Sequence, residues 1–153
     1  MTVKKIENFI LSKNDLTKIL KITDPFILLD KVEKVIPGKN GTGIKNLAGD
    51  EWFFKCHLIG EPMMPGTLQT EAMLQTIISV IYFSLSIEER NCLITKSSTN
   101  FFSKINKKGE MIINAEILNS RNGAVEAKAT IFFNRKKVSD GIFKFFNPNK
   151  LNI

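Results

Sequence analysis

An apolar segment over residues 66–86 predicts a long buried helix. Large aliphatic and aromatic side chains occur on nearly every turn of it, which leaves little room for a polar face. A helix that is apolar nearly all round is buried in a core. Its scattered polar side chains, among them Gln69, Glu71 and Gln75, argue against a membrane span. We therefore expect this segment to be the core helix of a globular domain.

Alternating apolar and polar positions predict strands on both sides of this helix. The predicted strands are separated by turn dipeptides such as Pro37-Gly38, Lys108-Gly109 and Asn122-Gly123. They cover residues 26–36, 41–48, 91–105, 110–118, 124–133 and 137–146. One buried helix with runs of mostly antiparallel strands makes an α+β domain, in which the sheet curls around the helix.

The ends of the chain have weaker patterns. Residues 4–11 and 15–20 have the spacing of short helical turns, with Asn14 or Asp15 as a cap, so we expect a helical segment over residues 4–20. Residues 148–153 are expected to form a loose tail. The length of 153 residues fits a single domain over residues 1–153.

Composition excludes several classes of protein. The apolar fraction of 43% is typical of globular chains and not of disordered ones. The N-terminal residues lack the features of a signal peptide, so we expect a cytoplasmic protein. Cys56 and Cys92 are too few for a disulfide framework or a zinc site, and no glycine-rich phosphate loop is present. With a single histidine, we expect neither a metal nor an organic cofactor.

The formal charge of +7 points to an acidic partner. Basic side chains cluster at Lys104, Lys107 and Lys108 and again over residues 135–137. A basic rim steers acidic molecules toward a site. Nucleic acid is the weaker interpretation, because no interleaving of aromatic and basic residues accompanies the charge.

The candidate chemistry lies between His57 and Gln75. His57 is the only histidine, and an imidazole can accept a proton at cellular pH. Pro65 suits a helix start, and Gly66 adds a backbone N–H at the positive end of the helix dipole, where a carbonyl oxygen gaining charge is stabilised. Glu71 falls on the apolar helix, where burial requires a hydrogen-bond partner or a raised pKa. Gln75 follows four residues later on the same face.

Each of these residues also has an ordinary structural interpretation. A lone histidine is more often a satisfied structural side chain, and a single buried Glu is often an ion-pair partner or a subunit contact. A Pro-Gly dipeptide before a helix is commonly a plain turn. The ordered set at fixed spacing is what favours a base, an acid and an oxyanion donor.

This stretch resembles the active-site motif of the hot-dog-fold 3-hydroxyacyl-acyl carrier protein dehydratases. In that family a His-Phe-Pro-x-x-Pro-x-x-Pro-Gly run leads into a central helix that carries Glu-Ala-x-x-Gln. The matching positions here are His57, Pro62, Pro65, Gly66, Glu71, Ala72 and Gln75. Upstream, residues 24–32 are similar to the family's Pro-Phe-Leu-Leu-Val-Asp-x-Val first strand.

The resemblance implies a fold, a reaction and partners. The implied hot-dog fold is an antiparallel sheet wrapped around one long central helix. The implied enzyme, a hydro-lyase, dehydrates a (3R)-3-hydroxyacyl thioester on acyl carrier protein to the trans-2-enoyl thioester in fatty acid biosynthesis. The carrier brings the substrate on phosphopantetheine. The family also implies a homodimer with shared sites, and hexamers of three dimers are common in it. We expect neither nucleic acid nor a membrane as a partner.

The resemblance also assigns a role to each site residue. It implies that His57 removes the α-proton and that the N–H of Gly66 holds the thioester oxygen. Glu71 then protonates the departing hydroxyl and is oriented by Gln75. A glutamate in place of an aspartate favours the type that only dehydrates over the type that also isomerises the double bond.

The chain departs from the family pattern around the histidine and in the third strand. Cys56, Leu58 and Ile59 stand where the family has Gly before the histidine and Phe-Pro after it. Residues 93–109 lack the family's acidic residue and its basic-Pro-Val turn. Three alternatives therefore stay open: a specialised polyketide or lipid-pathway dehydratase, a hot-dog thioesterase, and a catalytically silent acyl-binding hot-dog subunit.

Overall fold

The computed structural model describes residues 8–150 and wraps one antiparallel sheet of seven strands around a long helix. The strands are β1 Phe9–Ser12, β2 Lys31–Ile36, β3 Asn40–Leu47, β4 Leu93–Phe101, β5 Gly109–Arg121, β6 Ala124–Phe133 and β7 Lys136–Phe146. The helices are α1 Lys13–Leu20, α2 Trp52–Cys56 and α3 Gly66–Phe83, with 3-10 turns at Ile87–Glu89 and Pro148–Lys150. The sheet order is β1-β2-β3-β5-β6-β7-β4, so the strand after α3 lies at the far edge.

Glycines in β3 allow α3 to lie close to the sheet. A Cβ on Gly41 would stand 2.7 Å from the side chain of Val80, and one on Gly43 would overlap the hydroxyl of Thr76. Neither backbone has a positive φ, so the requirement for glycine comes from close approach alone. The helix therefore packs directly on the inner face of β3.

Two tight turns connect the long strands β5, β6 and β7. Asn122 and Gly123 both have positive φ, at 50° and 78°, which matches the two-residue hairpin turn that an Asn-Gly pair predicts. The turn after β6 uses Asn134 and Arg135, at 48° and 68°, without a glycine. The side chain of Asn134 accepts a hydrogen bond from the N–H of Glu110 at 3.0 Å, which fixes this second turn against β5.

The prediction of a helical turn over residues 4–11 is wrong where the structure describes it, and residues 4–7 lie outside the described part. Phe9–Ser12 is strand β1, which pairs with β2 and buries Leu11. The helix begins after Ser12, which caps it together with Asp15 in a capping box. The N-cap of this helix is therefore Ser12, and the prediction of Asn14 or Asp15 as the cap is wrong.

At the other end of the chain, residues 148–150 form a 3-10 turn in place of the expected loose tail. The side-chain amide of Asn149 donates to the backbone carbonyl of Glu88 at 2.8 Å, which ties this turn to the segment after α3. Residues 151–153 lie outside the described residues.

The remaining elements agree with the prediction except at some boundaries. The predicted helix over 66–86 ends at Phe83, where the N–H of Ser84 bonds back to Ile81. The predicted strand over 91–105 becomes the shorter β4, because Ile105 leaves the sheet and accepts a hydrogen bond from the N–H of Met64 at 2.8 Å. The short helix α2 was not predicted.

The predicted strand over 26–36 is wrong in its first half, since β2 begins only at Lys31. The backbone of Phe26 and Leu28 is hydrogen-bonded by the side chain of Gln75 and is not available to a strand ladder. Within residues 8–150, no helix is both long and apolar enough to cross a membrane.

Candidate active site

The first turn of α3 places a free backbone donor beside an aromatic ring. Pro65 occupies the N-cap position, one residue before the helix, and its carbonyl accepts from the N–H groups of Leu68 and Gln69. The N–H of Gly66 lies at the positive end of the helix dipole, where no preceding turn offers a carbonyl. A Cβ on Gly66 would stand 3.0 Å from the ring of Phe101, so glycine lets this ring pack against the helix start.

Gln75 holds Glu71 in place on the second turn of α3. The amide of Gln75 donates to Glu71 Oε1 at 3.0 Å and to the carbonyl of Phe26 at 2.9 Å, and its oxygen accepts from the N–H of Leu28 at 2.9 Å. The Gln75 side chain is almost wholly buried, so these bonds are shielded from water. The glutamine therefore joins the carboxyl group of Glu71 to the loop that precedes β2.

The environment of Glu71 favours its protonated form. Burial raises the pKa of this carboxyl group above its ordinary value, and the hydrogen bond from Gln75 opposes part of that rise. A half-buried carboxyl group with a raised pKa holds a proton at higher pH than a solvated one and can donate it during a reaction. The sequence prediction that Glu71 needs a partner, a raised pKa or both is confirmed, since it has both.

His57 is held in one tautomer by the backbone. It caps the end of α2, its own N–H bonds to the carbonyl of Phe53 at 3.0 Å, and its Nδ1 lies 2.8 Å from the carbonyl oxygen of Met63. Since a carbonyl oxygen only accepts, Nδ1 must carry the hydrogen, and this assignment leaves Nε2 with its lone pair free. A neutral imidazole in this tautomer can take a proton at Nε2.

The loop between His57 and α3 is anchored at its end and exposed in its middle. Met64 is buried, and its N–H donates to Ile105 at 2.8 Å. Leu58 has a φ of +53°, in the left-handed region that a leucine rarely adopts, and Ile59 is 93% exposed. These two residues replace the family's Phe-Pro pair, so the departure noted in the sequence coincides with the unusual backbone.

The four predicted site residues form two separate groups in this chain. Gly66, Glu71 and Gln75 share the first turns of α3, and Glu71 bonds to Gln75. His57 belongs to the neighbouring loop, and no hydrogen bond or ion pair among the described residues joins it to Glu71. One chain thus presents His57 and Glu71 without a direct hydrogen bond or ion pair between them.

Sequence reasoning missed the backbone groups that position these side chains. The carbonyl of Met63 sets the His57 tautomer, and the backbone of Phe26 and Leu28 anchors Gln75. Backbone partners of this kind leave no mark in the residue pattern. Among residues 8–150, no group of three or more His, Cys, Asp or Glu side chains is placed to hold a metal ion.

The family model for the FabA-like domain matches residues 22–141. The chain belongs to this family. It is 31% identical over 144 residues to the 3-hydroxyacyl-[acyl-carrier-protein] dehydratase FabZ of Syntrophomonas wolfei, covering 94% of this chain and 98% of that protein. The resemblance proposed from the motif is thereby confirmed.

Two solved structures share the fold at low sequence identity. Cj0977, a sigma28-regulated virulence protein from Campylobacter jejuni, superposes with a TM-score of 0.69 at 10% identity, over 91% of this chain and 94% of that chain. The dehydratase heterocomplex ApeI:P from Xenorhabdus doucetiae gives 0.68 at 16% identity, over 88% and 91%. The predicted α+β hot-dog fold is confirmed by these neighbours and by the sheet around α3.

Proposed function

We propose that this FabA-like protein dehydrates a (3R)-3-hydroxyacyl thioester on acyl carrier protein to the trans-2-enoyl thioester in fatty acid biosynthesis. The observation that carries the proposal is the hydrogen bonding and burial of two side chains. His57 has a hydrogen fixed on Nδ1 and a free Nε2, whereas Glu71 is held in surroundings that raise its pKa. A base and an acid in these states are what the elimination of water requires.

In the proposed reaction, Nε2 of His57 removes a proton from the α-carbon of the thioester. The electron pair of that C–H bond forms the new double bond to the β-carbon, and the bond from the β-carbon to the hydroxyl oxygen breaks. Glu71 gives its proton to the departing oxygen, which leaves as water. Proton exchange with solvent then returns His57 to its neutral form and Glu71 to its acid form.

The N–H of Gly66 is proposed to bind the thioester oxygen while negative charge develops on it. A backbone donor at a helix start stabilises such charge without reorganisation during the reaction. Because the ring of Phe101 packs against Gly66, there is little room for a side chain at residue 66. Gln75 is proposed to orient Glu71 through the bond at 3.0 Å.

We also propose a homodimer in which His57 of one subunit works with Glu71 of the other. β4 lies at the sheet edge, and nearly all its residues are exposed, among them Leu93, Ile94 and Phe101. A long exposed edge strand is a template for pairing with another chain. Two β4 strands paired antiparallel across a two-fold axis would extend the sheet through both subunits.

The basic residues support a proposed docking surface for the acidic carrier protein. Lys104 and Lys107 line the same groove as Lys136, with a volume of about 450 Å³, so the two basic clusters of the sequence border one surface. The carbonyl of Ile105, between the first two lysines, bonds to the loop that leads into α3. A carrier held in this groove would therefore lie beside the proposed active site.

The reaction is tested with 3-hydroxyacyl thioesters of several chain lengths on acyl carrier protein and on coenzyme A, followed by mass spectrometry for loss of water. The proposal expects enoyl thioester from the carrier-bound substrate in wild type and far less in Glu71→Gln. Release of free acid would favour the thioesterase alternative. Turnover confined to an unusual acyl chain would favour the specialised dehydratase.

The carrier surface has its own test. Lys104, Lys107 and Lys108 are changed together to Glu, and the exposed Lys21, Lys34 and Lys39 are changed to Glu in a control with the same charge difference. The first variant should lose turnover on carrier-bound substrate and keep it on a small thioester. In the wild-type protein, turnover of carrier-bound substrate should fall as the salt concentration rises above about 0.1 M. Equal losses on both substrates would remove these lysines from the docking role.

A second candidate, a hot-dog subunit without catalysis, is favoured by one observation. Leu58 in the left-handed region and the exposed Ile59 follow His57 directly, and they change the backbone route that the family's Phe-Pro pair sets. This candidate expects acyl thioester binding without turnover. The assay above therefore separates the two, provided that binding is measured on the same protein preparation.

A further inference from the structure

Two buried polar atoms have no hydrogen-bond partner among the described residues. They are Oε1 of Gln69 on α3 and Oγ of Ser139 on β7. Gln69 is 2% exposed and Ser139 is wholly buried, so bulk water does not reach either side chain. A polar atom buried without a partner is unfavourable, and such atoms are commonly satisfied by an internal water.

Gln69 lies on the stripe of α3 that faces the sheet. Thr76 and Val80 define this stripe, because their side chains lie against Gly43 and Gly41 of β3. Gln69 precedes Thr76 by seven residues, which is two helical turns, and therefore occupies the same face. Its side chain points from the first turns of the helix toward the inner face of the sheet.

Ser139 lies on that inner face at the same end of the helix. Successive side chains of a strand point to opposite faces of the sheet. Ser139 points to the same face as Phe143, which is buried. In the sheet it pairs with Phe101 of β4, whose ring stands 3.0 Å from the Cβ position on Gly66. Ser139 therefore belongs to the strand pair on which the first turn of α3 rests.

A second contact places the first turn of α3 over the same strand pair. Thr70 Oγ1 donates to Thr99 Oγ1 at 3.2 Å, and Thr99 pairs with Gly141 of β7, two residues beyond Ser139. Gln69 directly precedes Thr70 in the helix. The two unpartnered atoms thus lie in one layer, between the start of α3 and the paired strands β4 and β7.

We propose that one water molecule is bound in this layer and bridges Gln69 Oε1 and Ser139 Oγ. The amide oxygen only accepts, so the water donates to it, and the serine hydroxyl can either donate to the water or accept from it. The bridge ties the first turn of α3 to β7. Gln69 and Ser139 are then positioning residues for the N–H of Gly66, a role that rests on the proposed function.

The water is tested without any activity measurement. A high-resolution crystal structure of the wild-type protein should show a water within 3.5 Å of both atoms, the ordinary limit for such bonds. Gln69→Met and Ser139→Ala should each raise the unfolding equilibrium constant about fivefold, the size of one net hydrogen bond. The double variant should change it by about as much as one single variant, since both substitutions remove the same bridge.

The opposite result is equally clear. If the atoms are truly unsatisfied, each substitution removes a buried polar group without a partner, so it lowers the unfolding constant, and the two effects multiply. That result, or the absence of the water from the crystal structure, overturns the proposal. Ser79→Ala is the matched control, because this buried hydroxyl has its own partner in the carbonyl of Gln75 and should not couple to Gln69→Met.

The positioning role of Gln69 is tested by steady-state kinetics. Gln69→Met should lower kcat about tenfold and leave KM within about twofold, because the N–H of Gly66 acts on charge that develops in the transition state. An unchanged kcat would refute the positioning role. Wild-type protein without dehydratase activity would instead refute the proposed function, while the crystal structure and the unfolding data would still decide the water.

Discussion

The two halves of the candidate site are held in very different ways. On α3, the carboxyl group of Glu71 is fixed by Gln75, whose own side chain is buried and bonded to the backbone of Phe26 and Leu28. On the preceding loop, the ring of His57 has one hydrogen-bonded contact, to Met63, and the loop beyond it is exposed. Glu71 is thus fixed through the core of a single chain, whereas the half-buried His57 leads into an exposed loop.

This difference supports the proposed site shared between two subunits. The half-buried Glu71, with its raised pKa, is already in place in a single chain, because the core that buries it is present there. Under the proposed function, the exposed loop with Leu58 and Ile59 would be covered by the second subunit, which would exclude water from His57. Changes on α3 should therefore affect both stability and turnover, and changes in the loop should mainly affect turnover.

The largest effects are expected from the reacting groups themselves. His57→Ala and Glu71→Gln should each lower turnover about a hundredfold or more, as expected when a positioned base or acid is lost. Turnover is measured as enoyl thioester formed per subunit, with the fold checked by circular dichroism. Near wild-type turnover in either variant would remove that residue from its assigned role.

Glu71→Gln also tests whether the acid is buried in the way described. Because folding raises the pKa of Glu71, the wild-type protein gains stability from this group below its ordinary pKa of 4.5 and loses it as pH rises through the folded pKa. A glutamine has no such dependence, so the variant should gain stability relative to wild type as pH rises. A constant difference across that range would contradict the raised pKa.

The next largest effect should come from the side chain that links Glu71 to the core. Gln75→Leu leaves the buried N–H of Leu28 without its partner and removes the part-buried bond to the carbonyl of Phe26, which should cost about 2–3 kcal/mol of unfolding free energy. Thr76→Val is the control, because its hydroxyl bonds only within the helix and its loss should cost about 1 kcal/mol. Equal costs in urea unfolding would show that Gln75 is not the anchor.

Gln75→Leu should also move the pH dependence of turnover. The bond from Gln75 lowers the pKa of Glu71, so its removal raises that pKa further. A general acid works in its protonated form, and turnover therefore falls as pH rises through the Glu71 pKa. The alkaline side of the kcat profile should shift to higher pH in Gln75→Leu, and a shift to lower pH would be inconsistent with the assignment.

A smaller effect is expected at the oxyanion donor. A Cβ on Gly66 would stand 3.0 Å from the ring of Phe101, so Gly66→Ala requires a shift of a few tenths of an ångström. Displacement of the amide should lower kcat about tenfold. Adding Phe101→Leu makes room for the methyl group and should recover most of the loss. Failure of this second change to restore kcat would show that the loss has another cause.

The smallest effect concerns the loop backbone. Leu58 has a φ of +53°, so Leu58→Gly should relieve strain of about 1 kcal/mol, less the entropy that glycine adds to the unfolded chain. Ile59→Gly is the matched control, since Ile59 has no positive φ and should only lose stability. If the melting temperature of Ile59→Gly is higher than that of Leu58→Gly, the left-handed backbone at Leu58 is not strained.

The sequence predicted the parts of this site that depend on residue type and spacing. The apolar run over α3 predicted a buried helix, and a carboxylate within it predicted a hydrogen-bond partner, a raised pKa or both; Glu71 has both. The long strands β5, β6 and β7 followed from alternation and an Asn-Gly turn. These features are local, so one segment of sequence contains the information for each.

The parts that the sequence did not predict depend on contacts between distant segments. The residues before β2 form an apolar run that is typical of a strand, but Gln75, 47 residues from Leu28, binds their backbone groups. Similarly, Met63 fixes the tautomer of His57 through a carbonyl group that every residue type possesses. The prediction of a helix at β1 is wrong because pairing with β2 holds this segment as a strand, and β2 is distant in sequence.

The most direct test of the central claim is to mix the two inactive proteins, His57→Ala and Glu71→Gln, under conditions of subunit exchange. If the base and the acid act together across a dimer, each mixed dimer contains one site with both groups intact. Complete exchange at equal concentrations makes half of the dimers mixed, so activity should return to about a quarter of the wild-type value. Native mass spectrometry confirms the exchange. Mixed dimers without recovered activity would contradict the claim that His57 of one subunit works with Glu71 of the other.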